Sequence, residues 1–323
     1  SRCQREGRGF DPLCPLHFLV VKLKFITKIF QSYIIDKDIR FFKKKFLYYI
    51  IFRFVKNFLI DDIILTIYNF RVFGSYKKNK TSYYLLKKCD FGDNHEINTI
   101  KKLSFNNKIL FIDCGCNYGF YSLFVASISS KNIIYSIEAS KNTSKDFLKN
   151  LDLNQFSNVK FINKAVSNSD DDIISFNESL NDWESSYDQK NFKIKSVEQI
   201  KTLKIDSLIN NIKLDNYISI IKLDIEGAEM KALEGSSNFI KKVSPLIIVE
   251  FSRFTFNNKI KVDFFKNFLK NFNYLIYDTS CKQLSLDEIL IKLEKLKNKN
   301  NTIGNYYLIN NSTNYFNFLE KNV

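Results

Sequence analysis

An α/β fold with a doubly wound, mostly parallel sheet and a helical, basic N-terminal extension is predicted by three features of this 323-residue chain. From residue 93 onward, short apolar runs of five to seven residues alternate with segments of helical period. A glycine-bearing turn, D-C-G-C-N-Y-G at Asp113 to Gly119, stands between the first of these runs and the helix that follows. Basic charge gathers in front: residues 1–108 hold 22 Lys and Arg against 9 Asp and Glu, whereas residues 109–323 hold 27 against 25.

At 45% hydrophobic and 26% charged the chain can bury a large core, which excludes a disordered protein. Only 9 Gly and 3 Pro exclude collagen-like and linker-rich classes. The six cysteines form no C-x-x-C pair and no disulfide framework, so a reducing cytoplasm is the expected location. No uncharged run nears the roughly 20 residues that span a bilayer; the most apolar stretch, Phe46 to Phe52, is closed by Lys45 and Arg53. The apolar residues after His17 are interrupted by Lys22 before they form a secretory core.

Residues 1–17 hold three of seven Arg and two of three Pro, and Gly9-Phe10-Asp11-Pro12 permits a coding sequence containing GGTTCGATCC, as in a transfer-RNA T-arm. They are expected to be a non-native leader read through a neighbouring gene, and carry no functional reading. Residues 18–92 form the basic aromatic extension. F-F-K-K-K-F-L-Y-Y-I-I-F-R-F-V-K-N-F fits a basic amphipathic helix, either an element docking on an anionic surface or a cap with a solvated lysine face. Alternation over Asp61 to Tyr76 predicts a β-hairpin at the domain entrance. The catalytic domain then spans 93–323. Asp93 and Glu96 have capping-box spacing, which predicts a helix to Leu103 with His95 solvated in its first turn.

Ile109 to Asp113 reads as the first strand and Tyr121 to Ser129 as its helix. Gly115 and Gly119 let the backbone turn sharply and bring a ligand to the amides at the helix start. The next strand, Ile133 to Ile137, ends in Glu138, 25 residues after Asp113, where an acid can accept both hydroxyls of a ribose. A helix at Asn142 to Leu153 and strands at Val159 to Asn163, Ile218 to Asp224, Leu246 to Phe251, Tyr274 to Asp278 and Asn305 to Ile309 complete seven strands, with helices from Ala228 and over Val262 to Asn271. A last strand inserted antiparallel beside the preceding one would mark a methyltransferase sheet rather than a dehydrogenase sheet.

The turn lacks G-x-G-x-x-G, which argues against a dinucleotide, and no P-loop is present. Asp113 before the first glycine suits an amino-acid portion with its ammonium, as in S-adenosylmethionine. In the fourth strand Lys222 and Asp224 share one side, with Asp224 at the crevice as a candidate base for an O-methyl acceptor or as half of an ion pair shaping the loop. Glu226 and Glu229, at a helix start, are the next candidates for catalysis or substrate binding, although capping alone could account for one of them. Glu250, at the end of L-I-I-V-E, is the third candidate base. Trp183 either stacks on a sugar face or anchors a hairpin. Asp206 and Asp170 to Asp172 read as structural or solvated, and no metal site is singled out.

F-I-D-C-G-C-N-Y-G-F-Y-S at Phe111 to Ser122, I-E-A-S at Ile137 to Ser140, N-L-D-L-N at Asn150 to Asn154, I-K-L-D-I-E-G-A-E at Ile221 to Glu229 and S-P-L-I-I-V-E at Ser244 to Glu250 together resemble the FkbM-type S-adenosylmethionine-dependent methyltransferases. Cys116 stands where that family usually has Ala, and Glu-Ala replaces Glu-Pro at Glu138. The resemblance implies a class I methyltransferase sheet and S-adenosyl-L-methionine as cofactor. Asp113, Gly115, Asn117 and Gly119 would surround its methionine part, with Glu138 on the ribose. Adenine would lie near Ala165 and Val166, unless these are an ordinary buried pair. It further implies O-methylation of a hydroxyl on a sugar, polysaccharide or glycolipid. An RNA methyltransferase, motivated by the basic N-terminal third, and a non-enzymatic carbohydrate- or membrane-binding protein with a relic site are the alternatives. An anionic membrane surface is an expected partner, at the inner face of the membrane, and nucleic acid a less favoured one.

Overall fold

The computed structural model describes residues 63–74, 93–179, 194–209, 214, 216–296 and 302–315. The chain divides into two compact units, Ser1–Asp90 and Phe91–Val323. In the first, β1 (Ile63–Ile67) and β2 (Phe70–Gly74) pair antiparallel, from Ile67 opposite Phe70 to Ile63 opposite Gly74. This is the predicted hairpin. Tyr68, at φ 52°, takes the left-handed conformation in its two-residue turn. The leader, the basic helical pattern and Trp183 lie outside the described residues.

The second unit opens with α1 (Asn94–Leu103), which buries Ile97, Ile100 and Leu103 on one face. The anticipated capping box is absent, because Asp93 at the N-cap makes no side-chain cap bond. Its carboxylate accepts from the Tyr121 hydroxyl at 2.8 Å instead. β3 (Lys108–Cys114) follows, then α2 (Phe120–Ile128), β4 (Ile133–Ile137), α3 (Lys141–Asn154) and β5 (Val159–Ile162). β3 is apolar almost throughout because parallel neighbours flank it and both faces are covered. Ser140 caps α3, its side chain accepting from the Thr143 N–H at 3.1 Å.

After β9 (Tyr217–Leu223), the short helices α5 (Glu229–Glu234) and α6 (Ser237–Val243) lead to β10 (Leu246–Ser252). Between them and β5 run β6 (Ala165–Val166), β7 (Ile173–Ser179), β8 (Ile194–Leu203) and α4 (Ile205–Ile209). Asp206, expected to be structural or solvated, accepts from the N–H groups of Asn238 and Phe239 in the first turn of α6. α7 (Lys259–Phe272), β11 (Tyr274–Asp278), β12 (Gln283–Leu284), α8 (Leu286–Glu294) and β13 (Thr302–Asn310) complete the unit. A true capping box is found at α8, between Ser285 and Glu288.

The main sheet has the order β12-β11-β13-β10-β9-β3-β4-β5. β3, β4, β5, β9 and β10 run parallel, and β13 inserts antiparallel between β10 and β11. The seven expected strands are therefore in the class I methyltransferase order, with the two-residue β12 added at one edge. A second sheet, β6-β8-β7, was not anticipated as strands. Its residues form a small cluster of Ala165, Phe176 and Ile200 and give Val166 and Leu203 to the main core, while Ile173 and Val197 are exposed, so the alternation that reveals a half-buried strand is weak.

Candidate functional site

The carboxyl ends of β3, β4 and β9 meet at one edge of the sheet, with β6 beside them, and a cleft open to solvent lies there. Gly115, Asn117, Glu138, Ala165, Asp224 and Glu226 all line it, six of the residues singled out from the sequence. Phe176, Thr143, Lys164 and Ile225 line it as well and were not anticipated. Phe176 arrives on β7, whose weak pattern hid it.

Glu138 ties the two sides of the turn together. Its Oε2 accepts the Asn117 N–H at 2.9 Å and its Oε1 the Ser140 N–H at 2.8 Å. Burial pushes its carboxyl up to about 7, against the backbone N–H bonds that favour its charge. The Asn117 Oδ1, on the same wall, is buried without a hydrogen-bond partner. An orphaned acceptor beside a carboxylate matches a ligand that brings hydroxyls and an ammonium, which are among the polar groups of S-adenosylmethionine.

Two expected cofactor residues are placed otherwise. Asp113 is 1% exposed and faces inward rather than lining the cleft. Its Oδ2 accepts from Ser122 Oγ at 2.6 Å, and Ser122 accepts in turn from Ser136 Oγ at 2.6 Å. Burial raises its carboxyl above the ordinary range. Gly119, at φ 82°, also lies off the cleft. A Cβ there would fall 1.9 Å from a ring carbon of Phe147, so core packing, not ligand approach, forbids a side chain. At Gly115 a Cβ would meet the Asp224 carbonyl oxygen at 2.0 Å, and the glycine brings β3 and the loop after β9 into contact.

Lys222 is 3% exposed, and its Nζ donates to Asp224 Oδ2 at 2.7 Å. Burial pulls the ammonium down, but the charges of Asp224 and Asp113 outweigh it and hold Lys222 above its ordinary value. The ammonium also lies 4.8 Å from the centroid of the Tyr121 ring. Glu226 takes a left-handed φ of 52° at the cleft wall. Glu229 is 1% exposed and is not among the residues lining the cleft, its Oε1 accepting the Gly227 N–H at 3.0 Å. One carboxylate oxygen each from Asp224, Glu226 and Glu250 lie within 4.8 Å of one another, close enough to share a cation, although Lys222 already supplies positive charge to this group. Burial, followed by the charge of Asp224, pushes Glu250 up to about 8.

The family described as the methyltransferase FkbM domain matches residues 113–276. No curated protein matches the chain. Among solved structures, a methyltransferase FkbM from Methylobacillus flagellatus KT is 17% identical with a TM-score of 0.38, over 71% of this chain and 53% of that one, so the chain spans about half the length of that relative. A precorrin-6y C5,15-methyltransferase from Geobacter metallireducens GS-15 is 12% identical with a TM-score of 0.35, over 66% and 84%. M. jannaschii TYW2 in complex with AdoMet is 12% identical with a TM-score of 0.36, over 76% and 84%.

Proposed function

This chain belongs to the FkbM methyltransferase family, and from that membership we propose that it is an S-adenosylmethionine-dependent O-methyltransferase acting on a hydroxyl of a sugar or glycoconjugate. The observation that supports the reading most is the pairing, on one cleft, of Glu138 at the end of β4 with the Asp224 and Glu226 carboxylates, beside which the Glu250 carboxylate stands within 4.8 Å. Bound S-adenosylmethionine supplies a methyl group already activated on a sulfonium, so the protein's part is alignment and acceptance of a proton.

Glu138 holds the ribose hydroxyls, and Asn117 and Gly115 shape the wall for the methionine part. Ala165, Val166 and Phe176 offer apolar surface for the base. Asp224 has one oxygen committed to Lys222, which suits it to orienting the acceptor hydroxyl. Glu250 takes the hydroxyl proton, since a carboxyl raised to about 8 is matched to work near neutral pH. The basic extension, outside the described residues, keeps the enzyme near an anionic membrane surface or polysaccharide. No helix among the described residues is long and apolar enough to cross a membrane.

Purified protein incubated with methyl-labelled S-adenosylmethionine and separated cell fractions tests the whole reading. Label is expected in polysaccharide or glycolipid, stable to mild alkali as an ether is. Label confined to RNA would replace it with an RNA methyltransferase.

A further inference from the structure

We propose that Tyr121, held in place by Asp93, is a positioning residue whose ring face pins the buried Lys222 ammonium against Asp224. The inference rests on the proposed function only for the role given to Glu250.

Lys222 projects from β9 into the interior, and an ammonium there must find acceptors for three N–H groups. Asp224 accepts at 2.7 Å, and the face of Tyr121, 4.8 Å away, presents the negative side of its quadrupole to the same charge. Tyr121 sits in the first turn of α2 and is 8% exposed. Its hydroxyl donates to Asp93 Oδ2 at 2.8 Å, which fixes the ring's rotation as well as its position. Asp93 stands where a side chain ordinarily caps a helix, yet it makes no cap bond to α1. The acid serves the tyrosine rather than its own helix.

The arrangement reaches the cleft through charge. Asp224, Asp113 and Asp93 act on Lys222. Asp224, Lys222, Thr302 and Glu229 act on Glu250, with Lys222 easing its ionisation and Asp224 opposing it. A lysine that drifts from its seat leaves Asp224 uncompensated, and Glu250 then holds its proton more tightly. A tyrosine that merely fills space beside Phe111, with which it stacks at 6.5 Å, would have no such effect.

The test uses the full chain labelled with carboxyl-13C glutamate, the Glu250 resonance being assigned by its loss in Glu250→Gln. Its titration midpoint in Tyr121→Leu should rise by about half a unit or more over the unsubstituted protein. Tyr121→Phe, which keeps the ring face but loses the Asp93 bond, should shift it by less than about half as much. Should Tyr121→Leu fail to fold, Asp93→Ala, which frees the ring, should shift the midpoint in the same direction. An unmoved midpoint in the folded leucine or alanine variant, or a phenylalanine variant that behaves like leucine, overturns the assignment. Calorimetry with S-adenosylhomocysteine on the same samples is independent: a protein that does not bind it removes the cofactor reading and leaves the Tyr121 result to stand or fall alone.

Discussion

Glu138 and Asn117 are joined by a 2.9 Å hydrogen bond from the backbone N–H of the turn residue to the carboxylate at the end of the next strand. The acid thus completes the turn before any ligand arrives, and its second oxygen secures the start of α3 through Ser140.

If Glu138 holds the ribose as proposed, that position makes cofactor affinity depend on pH. Glu138 is raised to about 7, and only its carboxylate form accepts both hydroxyls. Binding therefore weakens as pH falls through about 7. Calorimetry with S-adenosylhomocysteine should show about a tenfold loss between pH 8 and pH 6. Glu138→Ala should cost about 1.5 to 3 kcal/mol at pH 8 and flatten the profile. An unchanged affinity in that variant would remove the ribose assignment.

Gly119→Ala should destabilise the fold by about 3 kcal/mol or more, through overpacking against Phe147 and a left-handed φ. Denaturation of the double variant with Phe147→Leu should give less than the sum of the two single losses. Strict additivity would show that the ring is not the obstacle.

Lys222→Met should cost about 3 to 5 kcal/mol at pH 8, because Asp224 and Asp113 lose the cation between them. In the unsubstituted protein the lysine's folded value is raised above 10.5, so its contribution is fully present below that pH and fades only as pH climbs through the folded value. Urea melts at pH 8 and pH 5 check this, the difference between the proteins shrinking in acid as Asp113, raised by burial, takes up its proton. Equal stability at pH 8 would refute it.

Turnover of the unsubstituted enzyme on the labelled fraction should rise with pH and level off above about 8, where Glu250 is deprotonated. Glu250→Gln should lose on the order of 10² to 10⁴ in turnover while binding S-adenosylhomocysteine normally. Asp224→Asn should instead raise KM for the acceptor more than it lowers turnover. A reversal of the two effects would make Asp224 the base.

Much of this was legible in order along the chain. The strand-turn-helix at Asp113 to Ser122 and the acid at Glu138 announce themselves, because a buried parallel strand is an uninterrupted apolar run and a sharp turn needs glycine. The small β6-β8-β7 sheet was not legible. It buries few side chains, and the residues that reach the cleft from it, such as Phe176, follow no strong period. The Asp93 cap was misread for a related reason. The local pattern Asp93 to Glu96 suits a capping box, but Tyr121, 28 residues away, competes for the same carboxylate and wins it.

The sequence by itself determined the seven strands along the chain and the short roster of residues at their carboxyl ends, which follow from local period and spacing, while its motifs carried the resemblance to the family. Only the tertiary structure decided where the members of that roster stand and what they touch. Asp113 and Asp224 are alike on paper. Packing seals the first behind Ser122 and leaves the second on the cleft with Lys222. Gly115 and Gly119 are alike too, but the carbonyl of Asp224 crowds one and the ring of Phe147 the other. Burial, distance and opposing charge are properties of pairs far apart in the chain, so no local pattern carries them.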